Sequence, residues 1–358
     1  MKLALNLGYW SMSRGGTEAG DGADSDSLRL AREADRLGFA VVWAAEAYGS
    51  DAVTVLTWVA AHTEHVDVGS AILQIPARSP AMTAMTAATL DALSGGRFRL
   101  GLGVSGPQVS EGWHGVRFAK PLQRTREYVE IVNLALSRKR VRYDGATYRL
   151  PLPDGPGKAL QLTVHPVRDH IPIYLAAVGP KNLELTGEIA DGWLAVFFAP
   201  AFAAEQLDQL RAGRARTGTT LDGFDVVPAV PIVVGDDVAE CARPVRPYAA
   251  LYVGGMGSRA QNFYNDLAVR MGYGEQAAEV QNRYLSRNYD GASAAVPSEF
   301  VDSTSLLGPP GRIAERMAEF AAAGVTTLAV SPFGASLDER LRALQVASEA
   351  LQRSGAGG

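Results

Sequence analysis

Short β-branched runs alternate with longer amphipathic stretches along most of this chain, and this alternation limits its fold more than any other feature. The runs that read as strands begin at residues 2, 39, 67, 98, 173, 192, 224 and 326, and most stretches between them carry apolar residues at helical spacing. A wholly apolar run such as Val41–Ala45 suits a strand that is covered on both faces. Eight strands separated by helices predict an α/β fold, a closed (β/α)8 TIM barrel, rather than an open doubly wound sheet.

The same pattern predicts a single domain over residues 1–353, with insertions where the regular alternation breaks. The expected insertions are a glycine-rich excursion near 105–120, a hairpin-like segment around Asp144-Gly145 at 141–166, and a long helical segment rich in Arg, Tyr and Asn at 236–300. A polar loop is expected at Ser11–Ser25, and a flexible tail at 354–358.

Composition excludes several classes of function. A net charge of −4 gives no electrostatic reason to expect nucleic acid or an anionic membrane as a partner. No segment approaches the ~20 uninterrupted apolar residues of a membrane helix, and Met1–Gly8 reads as a buried strand rather than a signal peptide. One cysteine, Cys241, excludes an internal disulfide, and the five histidines show no metal-ligand spacing, so no metal site is expected. We therefore expect a cytoplasmic protein that acts on a small molecule.

Chemistry in a barrel of this kind lies at the carboxyl ends of the strands. Glu46 directly follows the second strand, Val41–Ala45. Its carboxylate either pairs with a charge on a neighbouring loop or points into the mouth of the barrel, and its position in the sequence leaves both interpretations open.

The fourth strand ends in a literal GxGxxG, Gly101–Gly106. A dinucleotide fingerprint needs a helix directly behind it, whereas Pro107–Gly115 reads as a loop, so the dinucleotide interpretation is rejected. The glycines still indicate that a flat or bulky ligand lies close to this backbone, unless they are merely a small-residue strand end.

The fifth strand leads through small residues, Ala176–Gly179, into Pro180 near the start of a helix. Free backbone N–H groups and the helix dipole make such a helix end a ready site for a phosphate, with Lys181 nearby. A tight turn without any ligand remains the alternative.

This chain resembles the luciferase-like monooxygenase superfamily, and within it the branch that uses the deazaflavin coenzyme F420. The resemblance is strongest in two segments, Gly69–Gly106 and Ile171–Gly192. The phrase TLDALSGGRFRLGLG is highly specific for the superfamily, and the loop Ser105–Trp113 favours the F420 branch over enzymes that use flavin mononucleotide, FMN. The resemblance spans most of the chain. It implies a bacterial luciferase-like TIM barrel, coenzyme F420 (reduced form F420H2) as the cofactor with FMN as the alternative, and a homodimer.

The resemblance also implies particular site residues. A cis peptide at Ala71–Ile72 is expected against the back of the deazaflavin, with Glu46 beside the ring and Ala176–Gly179 at the phosphate. The residues expected to bind the cofactor are Glu46, Ala71, Ile72, Arg78, Val104, Ser105, Gly106, Ala176, Ala177, Val178, Gly179 and Pro180. The residues expected to supply or relay a proton are Glu46, Tyr48, Ser105 and Gln108.

The chain departs from the family pattern where alcohol and sugar-phosphate dehydrogenases of this branch place a histidine after the acid and a glutamate after the fourth strand. Here those positions hold Ala47 and either Gly106 or Pro107, so the general base for alcohol oxidation is missing. Delivery of hydride to an activated C=C or C=N bond needs only positioning and a proton source, which favours a reductase. The alternatives are an FMN-dependent monooxygenase and a cofactor-binding subunit with little catalysis of its own.

Overall fold

The structure is a computed structural model, and it describes residues 1–9 and 25–357. In chain order, the strands are β1 (Lys2–Gly8), β2 (Val41–Ala44), β3 (Asp67–Ser70), β4 (Leu73–Gln74), β5 (Phe98–Gly103), β6 (Tyr143–Asp144), β7 (Arg149–Leu150), β8 (Ile173–Ala176), β9 (Gly192–Val196), β10 (Asp225–Val234), β11 (Leu306–Gly308) and β12 (Thr327–Pro332).

The helices follow most of the predicted amphipathic stretches. They are α1 (Asp26–Arg36), α2 (Ala52–Ala61), α3 (Pro80–Leu93), α4 (Pro107–Gly112), α5 (Pro121–Leu136), α6 (Pro180–Ile189), α7 (Ala203–Arg216), α8 (Val238–Ala242), α9 (Arg246–Ala250), α10 (Phe263–Arg270), α11 (Gly274–Leu285), α12 (Tyr289–Ala295), α13 (Ser298–Ser303), α14 (Pro310–Ala322) and α15 (Leu337–Ser354). Short 3-10 helices lie at Ile75–Ala77 and Pro200–Phe202, and a π-helical turn at Leu251–Gly255.

The main sheet closes into a barrel of 8 parallel strands in the order β1, β2, β3, β5, β8, β9, β10, β12. Closure is made by the pairing of β1 with β12, where Lys2 lies opposite Thr327. Strand β4 continues β3 beyond residues 71–72 and pairs with β5, and β11 pairs with the end of β10 outside the ring. The TIM barrel predicted from the alternation is therefore confirmed.

Helix starts follow local capping chemistry. The side chains of Ser25, Asp51 and Ser79 accept hydrogen bonds from the first-turn amides of α1, α2 and α3. Ser336 and Glu339 form a reciprocal capping box at the start of α15. These caps fix where each helix leaves its βα loop, and the loops at the carboxyl ends of the strands form one mouth.

Several sequence-based expectations need correction. Residues 107–112 form the short helix α4 rather than a loop, and strand β11 was not predicted. Within the predicted tail, Gly355 caps α15 at φ +66°, and the amino group of Met1 donates a 2.6 Å hydrogen bond to the carbonyl of Ala356. The hairpin expected around Asp144 is present as β6 and β7. The polar loop expected at Ser11–Ser25 lies outside the described residues except for Ser25.

The inside of the barrel is packed by large side chains that need glycine neighbours. Trp43 and Tyr174 meet edge to face at 5.1 Å between ring centroids. A Cβ on Gly69 would lie 2.3 Å from the Trp43 ring, so only glycine fits there. The helical insertion at 236–300 builds its own apolar cluster, which includes Phe197 and Phe300. No helix in the described ranges is both long and apolar enough to cross a membrane.

Candidate active site

A cavity of about 2300 Å³ opens at the carboxyl ends of the barrel strands. This exceeds the ~300–1000 Å³ of a usual small-molecule pocket, so it has room for more than one ligand. The predicted residues that line it are Glu46, Tyr48, Ala71, Ile72, Val104, Ser105, Gly106, Gln108, Ala176, Ala177, Val178, Gly179 and Pro180. Arg78 is absent from this wall. The structure therefore brings the predicted residues other than Arg78 together on one cavity, and their roles there stay predictions.

Glu46 both lines the cavity and pairs with a charge on a neighbouring segment, so the two interpretations of its position hold together. Arg78 Nη2 donates to Glu46 Oε2 at 2.9 Å and Arg78 Nη1 donates to Oε1, while Ala52 N donates to Oε2 at 3.2 Å. Burial lowers the pKa of Arg78, but the carboxylates of Glu46 and Asp51 outweigh burial and raise that pKa overall. Arg78 thus does not line the cavity itself, and it acts on the cavity only through its contact with Glu46.

The peptide between Ala71 and Ile72 is cis, as the family resemblance implied. A Cβ added to Gly103 would lie 2.9 Å from Ile72 Cδ1 and 3.6 Å from Ala176 Cβ. Glycine at 103 therefore lets the Ile72 side chain pack against the end of β5. Ile72 and Gly103 line the cavity beside Ala176 and form an apolar surface that we call the slot.

The glycines of Gly101–Gly106 have different tasks. A Cβ on Gly101 would lie 1.8 Å from the carbonyl oxygen of Ser70, and Ser70 Oγ bonds both backbone groups of Gly101, at 2.8 and 2.9 Å. Gly101 is thus needed for packing β3 against β5 rather than for a ligand. Gly106 precedes α4 and lines the cavity. The dinucleotide interpretation was rejected because no helix was expected there; it still fails, since the sheet is a closed barrel.

A buried amide links the cavity to the loop after α4. Gln74 Nε2 donates to Ser105 Oγ at 2.8 Å, and Gln74 Oε1 lies 2.8 Å from His114 Nε2. The amide oxygen accepts only, so His114 carries its proton on Nε2 in this arrangement. Ser105, at φ +59° directly after β5, then has its own hydrogen free to donate into the cavity. Gln74 was missed, although it is a polar residue within an otherwise apolar run.

Helix α6 points its amino end at the cavity without a side-chain cap. Its N-cap is Gly179, Pro180 is the first residue, and the side chain of Lys181 bonds Glu184 at 2.8 Å. The first-turn N–H groups and the helix dipole favour an anion there. Arg270 adds a nearby positive charge, since its Nη2 donates to the carbonyl of Val178 at 3.0 Å.

The floor of the cavity carries polar groups that sequence reasoning missed. The indole N–H of Trp43 is buried and has no hydrogen-bond partner among the described residues. Asn6 Nδ2 donates to Ser331 Oγ at 3.0 Å, joining β1 to β12 across the closure of the barrel. An unpaired buried donor on a residue that lines a cavity is a candidate partner for a ligand acceptor.

Three tyrosines from the helical insertion, Tyr248, Tyr252 and Tyr264, form one wall, which we call the tyrosine shelf. The ring centroids of Tyr252 lie 4.7 Å from Tyr248 and 4.8 Å from Tyr264. Phe197, at the end of β9, packs beneath all three at 5.5, 5.6 and 6.3 Å. The sequence analysis noted that this insertion is rich in tyrosine but assigned none of these residues to the site. The i, i+4 spacing of Tyr248 and Tyr252 was the available signal.

The described residues offer chemistry for a cofactor but not for a metal. No group of at least 3 His, Cys, Asp or Glu side chains within residues 1–9 and 25–357 is placed to hold a metal ion. The slot at Ile72 and Gly103 offers apolar cavity wall for a ring, and the uncapped end of α6 offers free N–H groups for a phosphate. Glu46 and Ser105 lie on the same cavity wall, where they can contact the ring or its substrate.

Comparison with known proteins gives a consistent family signal. The family model described as luciferase-like monooxygenase matches residues 5–327. The chain is 43% identical over 351 residues to a putative coenzyme F420-dependent oxidoreductase of Mycobacterium tuberculosis, covering 96% of this chain and 99% of that relative. It is 31% identical over 308 residues to a 5,10-methylenetetrahydromethanopterin reductase of Archaeoglobus fulgidus, covering 84% and 88% of the two chains.

A solved structure agrees on the fold. The coenzyme F420-dependent tetrahydromethanopterin reductase from Methanopyrus kandleri superposes with a TM-score of 0.80 at 22% identity, over 98% of this chain and 97% of that one. At this identity the likeness concerns the barrel and its insertions rather than a substrate.

Proposed function

The chain belongs to the luciferase-like monooxygenase family, and from this membership we propose that it is a coenzyme F420-dependent oxidoreductase acting as a reductase. The proposed reaction delivers hydride from F420H2 to an activated C=C or C=N bond of a small or natural-product substrate. The observation that carries the proposal is the pairing of the slot at Ile72 and Gly103 with the uncapped end of α6.

In this proposal the cofactor is held by backbone and small side chains. Ala71, Ile72, Val104 and Gly106 flank the deazaflavin ring, and the first turn of α6 after Gly179 binds its phosphate. Glu46, held by Arg78 and by Ala52 N, sits beside the ring with most of its acceptor capacity already used. Because these hydrogen bonds occupy its oxygens, Glu46 is better suited to positioning the ring than to donating a proton.

Bound F420H2 supplies the hydride, and the residues of this chain handle position and charge. When hydride adds to one carbon of the double bond, the electron pair moves onto the conjugated oxygen or the imine nitrogen, which then needs a hydrogen-bond donor and a proton. Ser105 is the best placed donor, because Gln74 occupies its lone pair and leaves its hydrogen free. Tyr48 and Gln108 line the same cavity and complete the proposed set of proton donors and relays.

Titration of the purified protein with F420 and with FMN, followed by fluorescence, tests the proposal. We expect F420 to bind and FMN to bind far more weakly. Anaerobic incubation with F420H2 and a panel of enones and imines should then show cofactor oxidation that depends on the acceptor. Tight FMN binding without F420 binding would instead support the flavin-dependent monooxygenase.

The third candidate, a cofactor-binding subunit with little catalysis, predicts a different outcome from the same experiment. F420 would bind, but no acceptor in the panel would oxidise F420H2. Alcohol oxidation is disfavoured because Ala47, and either Gly106 or Pro107, stand where the resemblance places a histidine and a glutamate in the dehydrogenases. Secondary alcohols offered with oxidised F420 form the direct test of that preference.

A homodimer is part of the proposal. Helix α3 exposes Met82 and Met85, both at 51%, on one helix face, and Leu93 at 66% near its end. Large exposed apolar side chains grouped on one element are typical of protein–protein interfaces. Light scattering after size exclusion gives the mass directly, and a Met82→Glu/Met85→Glu variant should dissociate the dimer.

A further inference from the structure

The tyrosine shelf stands apart from the slot to which we assign the deazaflavin. The slot is made by Ile72, directly before β4, and by the ends of β5 and β8, whereas Tyr248, Tyr252 and Tyr264 come from the insertion after β10. Both walls belong to one cavity of about 2300 Å³. A ligand in the slot therefore leaves the shelf available to a second molecule.

The shelf is held in place by a buried polar side chain. Asn262, 2% exposed, donates from Nδ2 to the carbonyls of Tyr252 and Val253, at 3.0 Å each. Its Oδ1 accepts from Tyr264 N at 3.0 Å at the start of α10. One amide thus ties the π-helical turn carrying Tyr252 to the helix carrying Tyr264, and π-helical turns recur at functional sites.

Close packing behind the shelf adds rigidity. A Cβ on Gly254 would lie 2.5 Å from Tyr284 Cβ, and a Cβ on Gly255 would lie 2.3 Å from Tyr284 Cε1. These two glycines let α11 approach the turn that carries Tyr252. Phe197 supports the rings from below at φ +54°, a backbone conformation that persists only where surrounding packing enforces it.

The shelf surroundings disfavour an anionic ligand. Burial raises the pKa of Tyr264 to about 12, with the Tyr9 hydroxyl adding to the effect. Burial and the hydroxyl of Tyr264 raise the pKa of Tyr252. The hydroxyls therefore stay protonated near neutral pH and serve as hydrogen-bond donors or acceptors. Burial penalises a ligand carboxylate that finds no cation beside the shelf.

Cations that might compensate such a carboxylate are engaged elsewhere. The charged side chains among the described lining residues are Asp26, Glu46, Lys181, Asp290, Glu339 and Arg340. Of the two cations, Arg340 donates to Asp26 and Lys181 donates to Glu184. The described part of the wall thus leaves no unpaired cation beside the shelf.

We propose that the tyrosine shelf binds a planar, uncharged, conjugated ring of the substrate that carries a hydrogen-bonding oxygen. Tilted and edge-on ring contacts select a flat partner, and the tyrosine hydroxyls meet its oxygen. The claim that this ring belongs to the substrate of a reductase rests on the proposed function, because hydride delivery needs the ring to lie near the deazaflavin slot. The claim that the shelf binds such a ring depends only on the residues of the shelf.

Three probes with the same two-ring outline test the proposal by calorimetry on the full chain without cofactor. They are 2-naphthol, which is planar and neutral, 2-naphthoate, which is planar and anionic, and decahydro-2-naphthol, which is neutral and puckered. We expect 2-naphthol to bind about tenfold more tightly than either of the others. Burial of apolar area by itself predicts the opposite order for the two neutral probes, since the saturated probe is the more hydrophobic.

Variants then locate the probe. Tyr252→Leu should abolish the tenfold preference, Tyr252→Phe should keep the preference for planarity but weaken 2-naphthol several-fold, and Trp113→Leu, at an exposed aromatic outside the cavity, should change nothing. Equal affinity for the three probes, or an affinity unaffected by Tyr252→Leu in a folded protein, overturns the proposal.

Repeating the titration with F420 present separates this proposal from the proposed function. Unchanged 2-naphthol affinity supports a second site, and competition between the two ligands places the probe in the slot and overturns the assignment to the shelf. If F420 does not bind but the probe preference persists, the proposed function fails while the shelf assignment stands.

Discussion

Arg78 binds both carboxylate oxygens of Glu46, and this pair joins the turn after β2 to the segment before α3. The two side chains are 16% and 10% exposed, so neither is well solvated. The bidentate geometry depends on the planar guanidinium, which lysine cannot reproduce.

Loss of the Arg78 side chain should destabilise the folded protein, because it leaves the nearly buried carboxylate of Glu46 without its cation. We expect Arg78→Ala to lower the free energy of unfolding by about 3 kcal/mol, and Arg78→Lys by a smaller amount, with F420 affinity falling in both. Urea unfolding and F420 titration measure these effects. The matched control is Arg211→Ala, which breaks a pair with Asp208 whose two side chains are 57% and 69% exposed, and it should cost no more than about 1 kcal/mol. Equal losses at the two sites would contradict the prediction.

The bridge through Gln74 predicts non-additive losses. Gln74→Glu removes the donor to Ser105 but keeps an acceptor for His114, and Ser105→Ala removes the hydroxyl itself. Each variant should lower kcat for acceptor reduction about tenfold, and the double variant should lose little more than either one. Independent, multiplying losses would show that Gln74 does not act through Ser105.

The uncapped end of α6 predicts opposite effects on stability and on cofactor binding. The backbone of Gly179, at φ −83°, accepts any residue, and a Cβ there meets nothing within 4 Å. Gly179→Asp should cap the helix and hold or raise the Tm, while its carboxylate competes with the cofactor phosphate and weakens F420 binding at least about tenfold. Gly179→Ser caps without a charge and should weaken F420 much less. The proposed phosphate site would be wrong if both variants bound F420 like the parent.

The hydrogen bonds of Glu127 predict that the β6–β7 hairpin loses its attachment to α5 at acid pH. This buried carboxylate accepts from Ala146 N, Thr147 N and Tyr148 N at 2.9, 2.8 and 2.9 Å. Burial raises the pKa of Glu127, but these bonds and one from Gln123 outweigh it, so the pKa is lowered overall from its usual 4.5. A depressed folded-state pKa means that the stabilisation is present above the unfolded pKa and is lost as the pH falls through the folded value.

Amide hydrogen exchange of residues 143–150, measured as a function of pH, tests this prediction. The measured rates are expressed as protection factors, which correct for the pH dependence of the intrinsic exchange rate. Protection should be constant at neutral pH and should drop below about pH 4.5. Glu127→Gln should show weak protection without this pH step. A step of the same size in that variant would assign the acid release to another group.

The close packing around Gly101 predicts that one added methyl group strongly lowers the stability of the protein. Because a Cβ there would lie 1.8 Å from the Ser70 carbonyl, Gly101→Ala should lower the free energy of unfolding by more than about 3 kcal/mol or prevent folding. Gly112→Ala, where a Cβ meets nothing within 4 Å, is the control and should be nearly neutral. Urea unfolding compares the two, and a stable Gly101→Ala protein would refute the packing role.

The fold was largely predictable because its signals are local. Most strands of the barrel are short apolar runs, and helices begin at capping residues such as Ser79 and Ser336. The site segments followed from the same pattern, since the carboxyl ends of parallel barrel strands share one mouth. Glu46 and Ala176–Gly179 were therefore placed on the cavity before any coordinates.

Local pattern failed where function depends on contacts across the chain. The six-residue helix α4 was mistaken for a loop because its glycines and proline resemble a turn. Gln74 was missed because its partners, Ser105 and His114, lie 31 and 40 residues away along the chain. Glycines of the same GxGxxG proved to serve packing at 101 and the cavity at 103 and 106.

The sequence by itself determined the barrel, the strand ends that form its mouth, and the family that uses them. The tertiary structure alone decided that Arg78 stands behind Glu46 and that Tyr248, Tyr252 and Tyr264 form one wall. The reason is physical: secondary structure is selected by neighbours a few residues away, whereas these contacts depend on barrel closure and on how the 236–300 insertion packs over the mouth.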